Sequence, residues 1–544
     1  MKEVLVIGSG IAGMACAVRC AEQGAHVTLV SPYPSERSQS VMAAGGINAV
    51  TEQCEDGDSV ASHIEDTLKG GCWIGGKDAV TGLCSSAKDT LAYLESIGTV
   101  FSLDQEGRPL RRAFGGQSHK RTYFCGSSTG KQIVSALVME VRRHEAAGSI
   151  ERRLRMHFHS ALIESGECYG ALLYDEQARG LVPVYASAVV MAVGGQNALF
   201  SKTTGSVLCD GYAAGRLFLQ GALLKNLEFI QFHPTTLETD QKRILITEAV
   251  RGEGGRLFYE DDGQRVYFME DKYGPKGNLM TRDVVSREIY ATGKNVFLDI
   301  SFLSDRLISQ RLQEVRDLCR KYRGIDVSKQ PIPVAPSVHF FMGGLAVHLN
   351  HETNIERLYA VGECASMYHG ANRLGGNSLL AALYGGRVAA DDLCAREDAP
   401  RHPDFARTRA REQRLLDAAS ESKSVFPVAY MRDMLADTMR AHMGIARTEE
   451  SLTQGLVDVE YYQSVAGQIN YDTSVSAYEN YSLAGILATA HASLSCALAQ
   501  RESRGSHWRS DAPQTLDDYA YATLVSYNDG AYNVWLDKER EYES

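Results

Sequence analysis

The 544-residue chain carries 67 acidic against 56 basic side chains, a formal net charge of −11 and a pI near 5.8. That balance excludes a general nucleic-acid binder and a surface built to lie on anionic lipid. The length exceeds what one compact core can hold, so two to four domains are expected.

The chain opens MKEVLVIGSG, straight into a strand with no leader pattern, which predicts a cytoplasmic protein. No apolar run reads as long enough to span a membrane, so any membrane association would come through partners. Residues Val4–Ile7 form an apolar β run, followed by G-S-G-I-A-G with Gly8, Gly10 and Gly13. A helical run then reaches about Gln23, and a second β run covers Ala25–Val30. Strand, glycine turn, helix and second strand in this order predict a dinucleotide fold with pyrophosphate on the helix N-terminus. The acidic residue expected at the end of the second strand is replaced by Ser31, whose hydroxyl can still bond a ribose. Twelve cysteines contain no C-x-x-C pair, so neither a metal site nor an iron–sulfur cluster is expected here. Cys16 and Cys20, one turn apart, read as buried structural thiols.

The stretch Arg37–Ala49 is rich in small and hydroxyl residues, a loop suited to wrapping a cofactor through Ser38, Gln39, Ser40, Gly45 and Gly46. Residues 51–110 read as helices, and residues 160–195 as a β-meander ending in Gly194 and Gly195. The segment after Thr203 ends in Asp210 and Gly211. Between residues 234 and 338 the composition turns charged and polar, which reads as an inserted domain. The nucleotide pattern resumes at Arg357–Ala365, a strand ending in Gly362 and Glu363. In A-N-R-L-G-G-N-S-L-L, Arg373 offers a planar fork for a carboxylate, and Gly376, Asn377, Ser378 and Leu379 open a helix. Pro400 and Pro403 mark a linker, residues 404–500 are helix-periodic, and a polar, tyrosine-rich tail packs on the surface or on a partner.

Four further groups belong with Arg373. They are His233 in Q-F-H-P-T, then Thr247, Glu248 and Arg251 in T-E-A-V-R, then Arg282 in T-R-D-V, and His339 in H-F-F-M-G-G. Each alone has an ordinary reading as a structural histidine, a helix pair or a surface ion pair. Their distribution over the entrance, body and exit of the inserted domain points instead to a site formed when that domain closes over a cofactor.

With these motifs in order, the chain resembles the flavoprotein subunit of the fumarate reductase and succinate dehydrogenase family, which includes L-aspartate oxidase. The likeness runs from the first strand to R-E-S-R-G-S-H-W-R (Arg501–Arg509). It implies an α/β fold: a Rossmann-type FAD-binding domain with an inserted α+β capping domain and a C-terminal helical domain. The expected boundaries are 1–233 and 339–400 for the FAD domain, 234–338 for the cap, 401–510 for the helical domain and 511–544 for the tail. It also implies that His339 and Arg373 bind one substrate carboxylate and His233 with Thr247 the other. Arg282 would donate the proton, replenished through Glu248 and Arg251.

Three positions bear on the branch. Phe114 stands where aspartate oxidases carry a glutamate for the substrate ammonium, which favours an unsubstituted dicarboxylate such as fumarate or succinate. Gln39 stands where respiratory members carry the histidine linked to flavin, which implies non-covalent FAD and a lower potential favouring fumarate reduction. The A-A-G-G around Ala44 also departs from the family's A-Q-G-G. No haem, nicotinamide or second flavin module is read in the sequence. Electrons are therefore expected from an iron–sulfur subunit, with a quinone-reactive membrane anchor or a soluble donor subunit behind it. Such a complex would sit in the cytoplasm or at the inner face of the cell membrane.

Overall fold

The computed structural model describes residues 1–52, 57–126, 128–239, 243–397, 402–421, 427–466 and 477–542. A five-stranded parallel sheet carries the nucleotide motif, in the order Leu358–Ala360, Ala188–Met191, Glu3–Ile7, His26–Ser31, Ile150–Leu154. Its first strand is a continuous apolar run because both faces are covered, leaving Val4, Leu5, Val6 and Ile7 almost wholly buried. Helix Ile11–Glu22, which holds buried Cys16 and Cys20, packs against helix Asn377–Ala395. The two helices approach closely at Gly386, where a Cβ would stand 2.5 Å from the Ala12 carbonyl oxygen. The expected meander is an antiparallel trio, Met156–Glu164, Glu167–Asp175 and Gly180–Tyr185.

The inserted region forms a six-stranded sheet with a core of its own, including Leu237, Ile246, Leu257, Val285 and Leu298. Strands Ile230–Glu238 and Ile332–Phe341 pair antiparallel and run unbroken through the expected boundaries at 233/234 and 338/339. Entrance and exit of the cap are therefore one two-stranded ribbon. Its register shifts at Gln231/Phe232 and again after His233. Such bulges re-aim side chains next to a site.

Helices Ala406–Glu421, Val428–His442, Glu449–Ala466 and Ala477–Ala499 make the C-terminal helical part. The linker residue Pro400 and the expected boundary at 400/401 lie outside the described residues. Helix Ala477–Ala499 corrects the expectation that no apolar run reaches membrane length, since its most apolar window has a mean hydropathy of 1.5. That window is 78% buried inside the protein, as befits a helix apolar on all sides. Serine, threonine and histidine dilute it in the sequence, which hides its length.

The tail is not a surface appendage. Strands Thr523–Asn528 and Ala531–Leu536 form a hairpin, and the first of them pairs with Leu224–Lys225 in a second sheet of the FAD-binding part. Leu524 and Val525 are buried there, and Lys225 Nζ donates to the Tyr542 carbonyl at 2.6 Å. The adjoining Glu228 is fully buried and accepts from Thr523 Oγ1 at 2.7 Å. Burial pushes its carboxyl up to about 7, with the Thr523 bond and Arg447 opposing.

A folded-state pKa above the unfolded 4.5 means stability is full below pH 4.5 and falls as pH rises toward 7. Glu228→Gln escapes that loss. It should melt above the wild type at pH 8, by up to about 3 kcal/mol, and converge with it below about pH 5. Thermal melts of the flavin-loaded protein across that range check this; a pH-independent difference would refute the assignment.

Candidate active site

One continuous cavity runs from the glycine turn at the first strand to the cap. At the turn, Gly8 has φ +115°, and a Cβ there would stand 2.2 Å from the Ala192 carbonyl oxygen. A Cβ on Gly13 would lie 1.9 Å from the Gly8 carbonyl oxygen. Gly13 therefore sets the strand–helix approach, while Gly8 and Gly10 line the cavity. The first helical turn presents backbone N–H groups there, the arrangement that holds an anion such as a pyrophosphate. Ser31 lines the cavity, but its hydroxyl accepts from Ser9 Oγ at 2.9 Å and donates to the Tyr33 carbonyl at 2.6 Å.

Ser38, Gln39, Ser40, Gly45, Gly46, Gly194, Asp210, Gly362, Glu363, Gly376, Ser378 and Leu379, the residues expected to hold the cofactor, also line it. Gln39 Oε1 accepts from the Ser206 N–H, and Ser38 Oγ is buried without a partner among the described residues. Two predicted residues stand back from this wall. Gly195 presses on Glu363, where a Cβ would come within 2.7 Å of the carboxylate. Asn377 turns into a buried network, accepting from Asn48 Nδ2 at 2.7 Å and donating to Thr67 Oγ1 at 3.0 Å. Phe114, predicted to touch substrate, is buried between the glycine loops instead. A Cβ on Gly375 would lie 3.0 Å from its ring, and one on Gly45 3.4 Å.

The other end of the cavity gathers His233, Thr247, Glu248, His339 and Arg373. The two histidine rings meet edge to face, 5.1 Å between centroids. Burial, then the nearby Arg282 guanidinium, hold both imidazoles well below their ordinary pKa, so both are neutral. His339 Nδ1 lies 2.8 Å from Thr204 Oγ1, and His233 Nδ1 lies 3.1 Å from the Thr235 carbonyl oxygen and 3.3 Å from the Thr235 backbone nitrogen. A carboxylate bound in the cavity would select the tautomer of each ring that leaves Nε2–H to donate.

Arg282 opens helix Arg282–Thr292 and is buried beside this wall. Its Nε donates to Glu248 Oε2 at 2.8 Å, and one terminal nitrogen donates to Gln231 Oε1 at 2.9 Å. Arg373 donates to the same oxygen at 3.0 Å, lies over the Phe340 ring, and keeps a buried Nε without a partner among the described residues. Glu248 Oε1 accepts from the Gly115 N–H at 2.7 Å and lies 3.4 Å from Arg251 Nη2. Burial pushes the Glu248 carboxyl up, but Arg282 and Arg251 outweigh it and keep the group ionised. Burial also lowers the Arg373 guanidinium, with Arg282 adding to the effect. Glu363, by contrast, is pushed up to about 7 by its burial.

Sequence reading missed Gln231, which joins the two guanidiniums. The available signal was a polar residue in a buried strand, two positions before His233. The arrangement offers neutral imidazoles and guanidiniums for two carboxylates, and a carboxylate bridging Arg282 and Arg251 along which a proton can pass.

Fold and site together define a flavin-dependent oxidoreductase. The FAD binding domain family matches residues 3–379, and the fumarate reductase flavoprotein C-terminal family matches residues 432–541. The succinate dehydrogenase flavoprotein subunit of Bacillus subtilis is 33% identical over the whole chain and 96% of its own length. An L-aspartate oxidase of a Nostoc species is 32% identical over 96% of this chain and 93% of its own. The solved structure of E. coli quinol fumarate reductase subunit FrdA superposes with a TM-score of 0.90 at 29% identity, covering 98% and 96% of the two chains. The chain belongs to the fumarate reductase and succinate dehydrogenase family of FAD-containing flavoprotein subunits.

The glycine turn gives a direct check on cofactor binding. Gly13→Val forces the helix away from the strand, so the purified protein should lose its visible flavin absorbance while keeping helical circular dichroism. Retention of stoichiometric flavin would contradict this reading.

Proposed function

We propose that the chain is the catalytic flavoprotein subunit of a fumarate reductase, converting fumarate to succinate and running in reverse as a succinate dehydrogenase. The observation that carries the reading is the ion chain Arg282–Glu248–Arg251 set beside two pairs of carboxylate donors at one end of the flavin cavity. His339 and Arg373 would clamp one carboxylate and His233 with Thr247 the other, which fixes the olefinic carbons in one orientation. FAD, when bound, supplies the hydride.

Arg282 delivers a proton to the adjacent carbon from its guanidinium. A guanidinium is normally a very poor acid. Glu248, ionised at rest and 2.8 Å from Arg282 Nε, compensates by relaying a proton from Arg251 as the first one leaves, with solvent the final source. Arg251 stabilises Glu248 and continues the chain toward Asn278, whose carbonyl it bonds at 2.6 Å. Closure of the cap excludes water, which keeps these charge interactions strong.

Gln39 in the place of a linking histidine supports non-covalent FAD. The electron source would be an iron–sulfur partner subunit, feeding from a quinone-reactive membrane anchor or a soluble donor, at the inner membrane face or in the cytoplasm. Aspartate oxidation is the second reading, favoured by the Nostoc relative. Phe114 in the place of a glutamate counts against it, because a buried unpaired ammonium is costly.

Anaerobic mixing of the dithionite-reduced protein with fumarate should restore oxidised flavin rapidly. Arg282→Ala should slow that step about 1,000-fold while changing fumarate affinity far less. Reoxidation by fumarate that is absent in the wild type, or untouched in the variant, would sink the proposal. Iminoaspartate formed from aspartate and oxygen would install the second reading.

A further inference from the structure

The nucleotide end of the cavity is not walled by the FAD-binding part alone. Arg432 of helix Val428–His442, and Tyr478 and Ser482 of helix Ala477–Ala499, line it as well. We propose that Arg432 and Tyr478 bind the adenosine half of FAD, so that the helical domain clasps the cofactor on the side away from the chemistry. The FAD binding domain match ends at residue 379, well short of both residues.

The direction of the cofactor follows from the ends of the cavity. The N-terminus of helix Ile11–Glu22 holds the pyrophosphate, and the reacting ring must reach Arg373 and the two histidines. The adenosine half is left with the opposite end, where Ser31, Tyr33 and His157 face the helical domain. The chemistry there suits a purine. Tyr478 sets its ring 4.3 Å from that of His157 and donates its hydroxyl to the Phe158 carbonyl at 3.0 Å, so it is fixed on the wall rather than free to swing. His157 is held in turn by Glu176 at 2.6 Å. The two rings, tilted 40° to each other, close this end of the cavity with an aromatic wall against which a purine can pack.

Arg432 is the polar counterpart. It donates to Ser482 Oγ at 2.6 Å and to the Glu479 carbonyl at 3.1 Å, which fixes the guanidinium. Its Nε is enclosed and has no hydrogen-bond partner among the described residues. Its charge also acts on half-buried Asp210, a carboxylate on the same wall that accepts from the Tyr212 N–H at 3.0 Å. A fixed donor without a partner, beside a fixed acceptor, can read the polar groups of a ribose and the edge of a purine. A cofactor held without a covalent bond depends on such contacts for retention.

The test titrates full-length apoprotein with FAD and, separately, with FMN, which lacks adenosine, following flavin fluorescence. Arg432→Ala and Tyr478→Ala should each weaken FAD about 10-fold or more and leave FMN affinity within twofold. FAD affinity within twofold of wild type in both variants would overturn the proposal, as would an equal loss for FMN. A second measurement needs no variant. FAD should slow amide hydrogen exchange in Val428–His442 and Ala477–Ala499 of the wild type, and no slowing there would overturn the proposal even if the variants fail to fold.

Discussion

Glu248 is the interaction on which the rest of the site depends. It is a fully enclosed carboxylate between two guanidiniums, Arg282 and Arg251, all three contributed by the cap. Its second oxygen accepts from the Gly115 N–H, which belongs to the FAD-binding part. Gln231 repeats the pattern, joining Arg282 of the cap to Arg373 of the FAD-binding part through one carbonyl oxygen. The bonds proposed to set up proton delivery are thus also bonds that join the cap to the FAD-binding part. Removing one partner of such a buried ion pair leaves a stranded charge at a cost of about 3–5 kcal/mol.

The Rossmann half was legible because its signals are local. Gly8 and Gly13 are dictated by contacts within one strand–turn–helix, and an apolar run followed by glycines reports them directly. The site residues from His233 to Arg373 were legible as residue types in order, but their mutual placement was not. That placement depends on bulges at Gln231 and His233 in a ribbon formed with a strand a hundred residues away, a non-local pairing that no window of sequence contains. Gln231 went unread for this reason. Phe114 and Asn377 were assigned to the cavity by the company they keep in sequence, yet each lies a layer behind, one filling the gap between glycine loops and the other satisfying a buried network.

The tail and the long apolar helix failed in opposite directions. Thr523–Asn528 alternates poorly and is followed by tyrosine and asparagine, so its composition resembled surface. The strand exists because Leu224–Lys225 offers an edge, and the hairpin covers it. Ala477–Ala499 is rich in small and hydroxyl residues, which conceal a fully covered helix from a scan for branched apolar side chains. In both, tertiary context supplied the partner that composition could not show.

Charge supports the proposal that this end of the cavity takes a dicarboxylate. Arg251, Arg282 and Arg373 bring three positive charges, and Glu248 returns one negative. Glu363 adds little below about pH 7, where burial keeps much of it protonated. The histidines contribute hydrogen bonds without charge, because burial, reinforced by the same guanidiniums that attract an anion, prevents the rings from ionising. Two positive charges remain unbalanced, the number a dicarboxylate neutralises. An amino-dicarboxylate would cancel one of its own charges and set its ammonium among guanidiniums, so it would meet repulsion where fumarate meets none. The field of the site therefore counts against an ammonium without any contact from Phe114, which lies a layer behind.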